Sequence, residues 1–152
     1  MPGSVIRDGK KLPADVMTKI PGVIAKIADD RDVVALYAFG SLADGNLKPL
    51  SELDFGILLS DSLDKQERFK KSIDLIDTFN ETLKTDEIDI VILNDGPLRF
   101  AYHILKTGKL LHCRDKNQLI DFVEKTIKLY LDFKPARDQI DQAFLEGVGY
   151  HG

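Results

Sequence analysis

Two carboxylates stand two residues apart at the head of an apolar run: Glu52 and Asp54, ahead of Phe55-Gly56-Ile57-Leu58-Leu59. Successive strand side chains point to opposite faces, so the two acids share one face, with Cα atoms roughly 6.6–7 Å apart. Acids that close repel one another unless a cation joins them. Mg²⁺ suits them, because it is a hard ion that takes carboxylate and phosphate oxygens. Asp89 belongs with the pair by pattern. In the run Ile88 to Leu93, Ile88, Ile90 and Ile92 face one way, while Asp89, Val91 and Leu93 face the other. A charge inside an apolar strand needs a partner. If this strand neighbours that of Asp54, three carboxylates converge on one site.

Upstream, Gly40 permits a sharp turn and a close approach of backbone to ligand. Ser41 offers a hydroxyl and an amide at an expected helix start, where phosphate oxygens are well received, and Gly45 adds a second permissive position. Together these residues describe a phosphate cradle beside a metal site. Each also has a plainer role. Glu52 and Asp54 suit a solvated strand start, Asp89 a charge that keeps an edge strand from aggregating, and Gly40, Ser41 and Gly45 turn and cap positions. His103, His112 and Cys113 come without a fourth ligand at zinc spacing, and read as a helix-surface histidine and a strand-end pair. Cys113 has no activating neighbour beyond Arg114.

Positioning these groups requires short strands set between amphipathic helices. Pro13 to Asp29 reads as a helix with Val16, Ile20, Val23, Ile24 and Ile27 on one face, kinked or restarted at Pro21. Val33 to Phe39 is a buried strand, and 54–59 is a second strand closed by the cap chemistry of Ser60-Asp61-Ser62. Leu63 to Leu83 is a helix buried through Phe69, Ile73, Ile76, Phe79 and Leu83, with the charged run from Asp64 to Lys71 on its solvated face. Ile88 to Leu93 is a third strand, broken by Asn94-Asp95-Gly96. Pro97 opens a helix ending at Gly108, and Lys109 to His112 is a fourth strand. From Asp115 the chain turns helical, with Leu119, Phe122, Val123, Ile127 and Tyr130 on one stripe. A kink is expected at Pro135, then a second helical piece from Ala136 to Glu146 and a frayed end at 147–152. The expected class is α/β, of the α+β kind: one mixed sheet of about four strands packed on helices. We expect a single domain over 1–152, with a core at about 13–115 and a helical tail at 116–146.

Composition narrows the function classes. The chain has 152 residues, 21 basic against 25 acidic, and a net charge of −4. That balance disfavours a bare phosphate-backbone binder, so no direct nucleic-acid contact is expected. One cysteine excludes an internal disulfide framework and fits a reducing cytosol. No secretory signal pattern and no membrane-length apolar run is present, so a cytoplasmic location is expected.

Gly40-Ser41, ten residues from Leu42 to Ser51, then Glu52-Leu53-Asp54, with Asp89 on a later strand, resembles the minimal nucleotidyltransferase (MNT) branch of the polymerase-β-like superfamily. The pattern there is Gly-Ser, ten residues, Asp-x-Asp and a third Asp. Leu93 to Leu98 and Gly108-Lys109 resemble the family too, so the likeness runs from about Val33 to Asp115, and Tyr130-Leu131-Asp132-Phe133 resembles the helical tail of its antitoxin subgroup. Two positions depart from the pattern: Glu52 stands where Asp is usual, and Asp44 where a basic residue is frequent. The resemblance implies a polymerase-β-like fold and Mg²⁺-dependent transfer of a nucleotidyl group, typically AMP from ATP, to a hydroxyl. Glu52, Asp54 and Asp89 would hold two Mg²⁺ ions, and Asp89 would also receive the hydroxyl proton. Gly40 and Ser41, with Gly45, would bind the nucleotide's phosphates. It further implies a HEPN-type partner protein, neutralised as in a toxin–antitoxin system by modification of a tyrosine. Two alternatives stay open: a binding module disabled at Glu52 and Asp44 that acts by contact, and a small-molecule nucleotidyltransferase of the aminoglycoside type. Self-association is compatible with either.

Overall fold

The computed structural model describes residues 12–147 apart from 49, with side chains described as far as 132. Four strands, β1 (Val33–Phe39), β2 (Leu53–Leu59), β3 (Ile88–Ile92) and β4 (Lys109–Cys113), form one sheet in the order β3-β2-β1-β4. β1 runs antiparallel to β2 and β4, and β2 runs parallel to β3. The sheet is therefore mixed, as the alternation of patterns predicts, with β1 and β2 in the centre and β3 and β4 at the edges.

Both sheet faces are covered, which is why all seven β1 residues are buried. On one face α1 (Val16–Ala28) and α3 (Lys65–Leu83) pack Val23, Ile27, Phe79 and Leu83 onto Leu36, Leu53, Phe55 and Ile57. On the other, α4 (Leu98–Thr107) and α5 (Lys116–Gly147) pack Ala101, Ile104 and Leu119 onto Tyr37, Phe39, Leu58 and Leu93. A four-residue turn of helix, α2 (Ser41–Asp44), links β1 to the loop before β2. The alternation read into β3 holds: Ile88, Ile90 and Ile92 pack toward α3, and Val91 and Leu93 toward α4.

Several details differ from the sequence reading. Helix α1 runs through Pro21 without a break, because the proline lies on the exposed face while Ile20, Val23 and Ile27 anchor the helix on both sides of it. The α3 cap is Asp64 and not the Ser60-Asp61-Ser62 turn. Asp64 accepts from the Glu67 amide at 2.8 Å and its own amide donates to Glu67 Oε1 at 2.9 Å, a reciprocal box that satisfies two otherwise orphaned donors. The buried stripe of α3 is Leu75, Phe79 and Leu83, whereas Phe69, Ile73 and Ile76 are 66, 47 and 42 % exposed. This helix carries two apolar stripes, and the sheet takes only the one that follows Leu75. In α5 the inner positions are Leu119, Phe122, Val123 and Thr126, and Ile127 turns outward. A single helix spans Lys116–Gly147 with no second piece after Pro135; strong helix formers at Lys134, Ala136 and Arg137 carry it past the one lost backbone bond. The end expected to fray lies, from residue 148, outside the described residues. No described helix is long and apolar enough to cross a membrane.

Candidate active site

Register places the acids. In the parallel pair Asp54 stands opposite Asp89, and Leu53 N–H donates to the Glu87 carbonyl at 3.0 Å, holding the heads of β2 and β3 level. Neighbouring strands are about 4.8 Å apart, so the two side chains emerge together on the α4 face. Glu52, just ahead of β2, completes the set: one carboxylate oxygen from each of Glu52, Asp54 and Asp89 lies within 4.8 Å of the other two. Glu52 and Asp54 are half-buried and Asp89 is exposed. These are the three acids that the sequence singles out.

Their mutual repulsion is visible in Asp54. Burial, then the charges of Glu52 and Asp89, then a hydrogen bond to Glu52 push its carboxyl from an ordinary 3.8 up to about 6. The hydrogen bond with Glu52 favours the protonated form of Asp54. Three clustered oxygen donors that hold a proton above its usual range suit a hard divalent cation, which would relieve the repulsion.

Gly40 is fixed by the same carboxylate. Its φ is +65° and ψ −146°, a region nearly confined to glycine, and a Cβ there would lie 2.6 Å from Asp54 Oδ2. Only a bare backbone fits beside the acid. Ser41 follows as the first residue of α2, and Asp44, exposed, is its last. Gly45 ends α2 in the left-handed conformation, φ +75°, and lines a groove with Leu12, Met17 and Leu42. Lys48 lines the same groove, near α1.

The wall next to the acids is aromatic. Phe39, the β1 partner of Asp54, meets Phe100 of α4 edge to face at 5.6 Å. Gly56 lets α4 come down onto the sheet here, since a Cβ at that position would be 3.1 Å from Ile104. Behind Phe100 a cleft of about 630 Å³ opens between α4 and α5, lined by Arg99, Tyr102, His103, Lys106 and Tyr130. Of these residues the sequence singles out only His103 and Tyr130. The spacing of 99, 102, 103 and 106 is that of one helix face and was the available signal. His112 and Cys113 lie in β4, partly buried.

The polymerase beta nucleotidyltransferase family model matches residues 23–117, which contain every strand and all three acids. The chain belongs to this nucleotidyltransferase family. Its fold is that of solved toxin–antitoxin structures. A chain of a toxin–antitoxin complex with AMP-PNP superposes with a TM-score of 0.63 at 23 % identity, covering 84 % of this chain and 97 % of that one. A chain of the tri-AMPylated Shewanella oneidensis HEPN toxin in complex with MNT antitoxin gives 0.58 at 22 %, covering 86 and 96 %. A chain of the toxin–antitoxin MntA-HepT gives 0.57 at 22 %, covering 86 and 97 %. No curated protein matches the chain in sequence.

Proposed function

We propose that this nucleotidyltransferase moves AMP from ATP to a hydroxyl of a partner protein, as the MNT antitoxin of a HEPN-type toxin. The convergence of Glu52, Asp54 and Asp89 within 4.8 Å carries the reading. The likeness in fold to chains of toxin–antitoxin complexes, one of them with an AMPylated HEPN toxin, supports the acceptor class.

In this scheme Glu52 and Asp54 would hold Mg²⁺, with Asp89 as a further ligand. When bound, the metal neutralises charge on the phosphoryl and leaving oxygens. The Gly40-Ser41 backbone, kept bare by Asp54, takes the outer phosphates. Asp89 stands at the exposed side of the cluster, where an acceptor can approach. The acceptor oxygen forms a bond to the α-phosphorus, the bond to the bridging oxygen breaks, and pyrophosphate leaves with its electron pair. The hydroxyl proton passes to the Asp89 carboxylate.

The test is label transfer from α-labelled ATP with Mg²⁺ and the candidate HEPN partner. The wild type is expected to label the partner, and Asp54→Asn to lower the rate by about 10³-fold or more, on the scale of losing a main electrostatic element of a site. A wild type that binds and neutralises the partner without labelling it would favour the contact-only reading, which Glu52 in place of the usual Asp also supports. Partial activity that rises with Glu52→Asp would place the limit in the extra methylene.

A further inference from the structure

Helix α3 is anchored on the sheet through Leu75, Phe79 and Leu83, and its second apolar stripe stands outside the core. Phe69, Ile73 and Ile76 follow one another at intervals of four and three, the spacing of a seam between two helices. All three are exposed, and Phe69 with Ser72 also borders the open edge of β3 at Ile90 and Ile92. A contiguous exposed apolar patch rimmed by polar residues marks an interaction surface.

The charges of α3 say what covers it. Lys65, Arg68, Lys70 and Lys71 lie in its first half with a single acid, Glu67, while Asp74, Asp77 and Glu81 lie in its second half, which has no base. Arg68 and Lys71 are taken up within the chain, by Asp95 and by Asp30 and Asp32. Lys70 and Asp77 make no ion pair with any described residue and are exposed. They flank the stripe on the same side, one position after Phe69 and one after Ile76. Two copies of this helix laid antiparallel therefore meet apolar stripe to apolar stripe and positive half to negative half. Laid parallel, they would set Lys70 beside Lys70 and Asp77 beside Asp77.

We infer that a second copy of this chain docks on this face, α3 against α3 across a two-fold axis between Ile73 and Ile76, with Lys70 of each copy beside Asp77 of the other. A two-fold contact needs a self-complementary surface, and this helix supplies one. A contact made by one helix from each copy lies at the small end of specific interfaces, under about 1,200 Å², so the dimer is weak and depends on concentration. Helix α3 covers the sheet face opposite the one on which the acids emerge, so the pairing is independent of the nucleotidyl-transfer reading.

Sedimentation equilibrium of the full chain tests the pairing. From about 1 to about 500 µM, the range for a contact of this size, the mass is expected to climb from monomer toward dimer. Ile73→Glu, which sets two carboxylates beside the axis, should hold the chain as a monomer throughout. Because Ile73 is exposed, that variant should unfold in urea near the wild-type midpoint. Lys70→Glu and Asp77→Lys should each weaken the dimer by roughly 5- to 100-fold, since each turns two attractions into two repulsions. Mixed in equal amounts, the two reversed chains restore both pairs, and the mixture should associate as tightly as wild type. A wild type that stays monomeric across the range overturns the inference, as does a dimer that Ile73→Glu leaves intact. Single reversals without effect, or a mixture that associates no better than either chain alone, overturn it too, because the helices would not then meet in this way. A monomeric wild type whose binding to a HEPN-type partner is lost in Ile73→Glu also overturns it, because the face would then belong to that partner.

Discussion

Each face of the sheet is covered by two helices, yet the two faces are built for different ends. Beneath α1 and α3 the cluster of buried residues is apolar, with Phe55 and Phe79 edge to face at 4.9 Å and Val23, Ile27, Leu53 and Leu83 fully enclosed, and polar atoms of Asn80 and Thr82 are buried on α3 beside it. Beneath α4 and α5 the packing includes Tyr37, with Thr126 buried in α5, and at the strand heads gives way to Asp54 and Asp89. Both sides hold a buried cluster, and the α4 and α5 side adds the repelling acids and an open cleft. Stability and chemistry are thus divided by the sheet, and substitutions on the two sides should separate them.

The sharpest contrast is expected from Phe79→Ala. Removing an enclosed aromatic ring leaves a cavity against Phe55, and the folding free energy should fall by about 3–5 kcal/mol, read by urea denaturation. Metal affinity of the molecules that remain folded should stay near wild type, and a large loss would show that the two faces are coupled. Gly40→Ala should cost less, about 1–3 kcal/mol, the range for forcing a side chain into a glycine-only conformation. Because the added Cβ displaces the Asp54 carboxylate, it should also weaken Mg²⁺ binding, measurable by calorimetry. If stability falls and metal binding does not, Gly40 serves the turn alone.

Smaller still is the effect of pH on the metal-free protein. Folded Asp54 keeps its proton up to about 6, whereas the unfolded chain releases it near 3.8. Between these values the folded state binds more protons, so stability rises as pH falls through 6 toward 4 and is lost as pH rises again. Mg²⁺ competes with that proton, so its affinity should change the other way, weakening as pH drops below 6. In Asp54→Asn the pH dependence should flatten. At pH 7 without metal this variant should gain under about 1 kcal/mol, the pair being exposed enough for solvent to screen it. A variant that is less stable than wild type at pH 7 without metal would mean that the acids do not strain the fold.

What could be read from the sequence was local. Alternation in Ile88-Asp89-Ile90-Val91-Ile92 assigns each side chain to a face, and the interval from Gly40 to Asp54 is a count along one segment, so the acids were within reach. The face of α3 was not. Leu75, Phe79 and Leu83 compete with Phe69, Ile73 and Ile76 at equally good helical spacing, and only the position of the sheet decides between them. The rules for proline predict a kink or restart at Pro21 and a kink at Pro135, although tertiary packing at the first and strong neighbouring helix formers at the second carry the helix through. The cleft escaped because it depends on two helices meeting: Tyr102 and Tyr130 are 28 positions apart and stack only after α4 and α5 have docked.

The parallel register of β2 and β3 has a consequence for assembly. A slip of one residue reverses every side chain on a strand, which would carry Asp89 off the open face and in among Phe79 and Leu83. A lone carboxylate in such surroundings costs several kcal/mol. The runs that meet here are rich in isoleucine and leucine, and apolar side chains alone would tolerate more than one alignment. The acids therefore act as index marks: the alignment that leaves them on the open face is favoured over one that is a residue out of step.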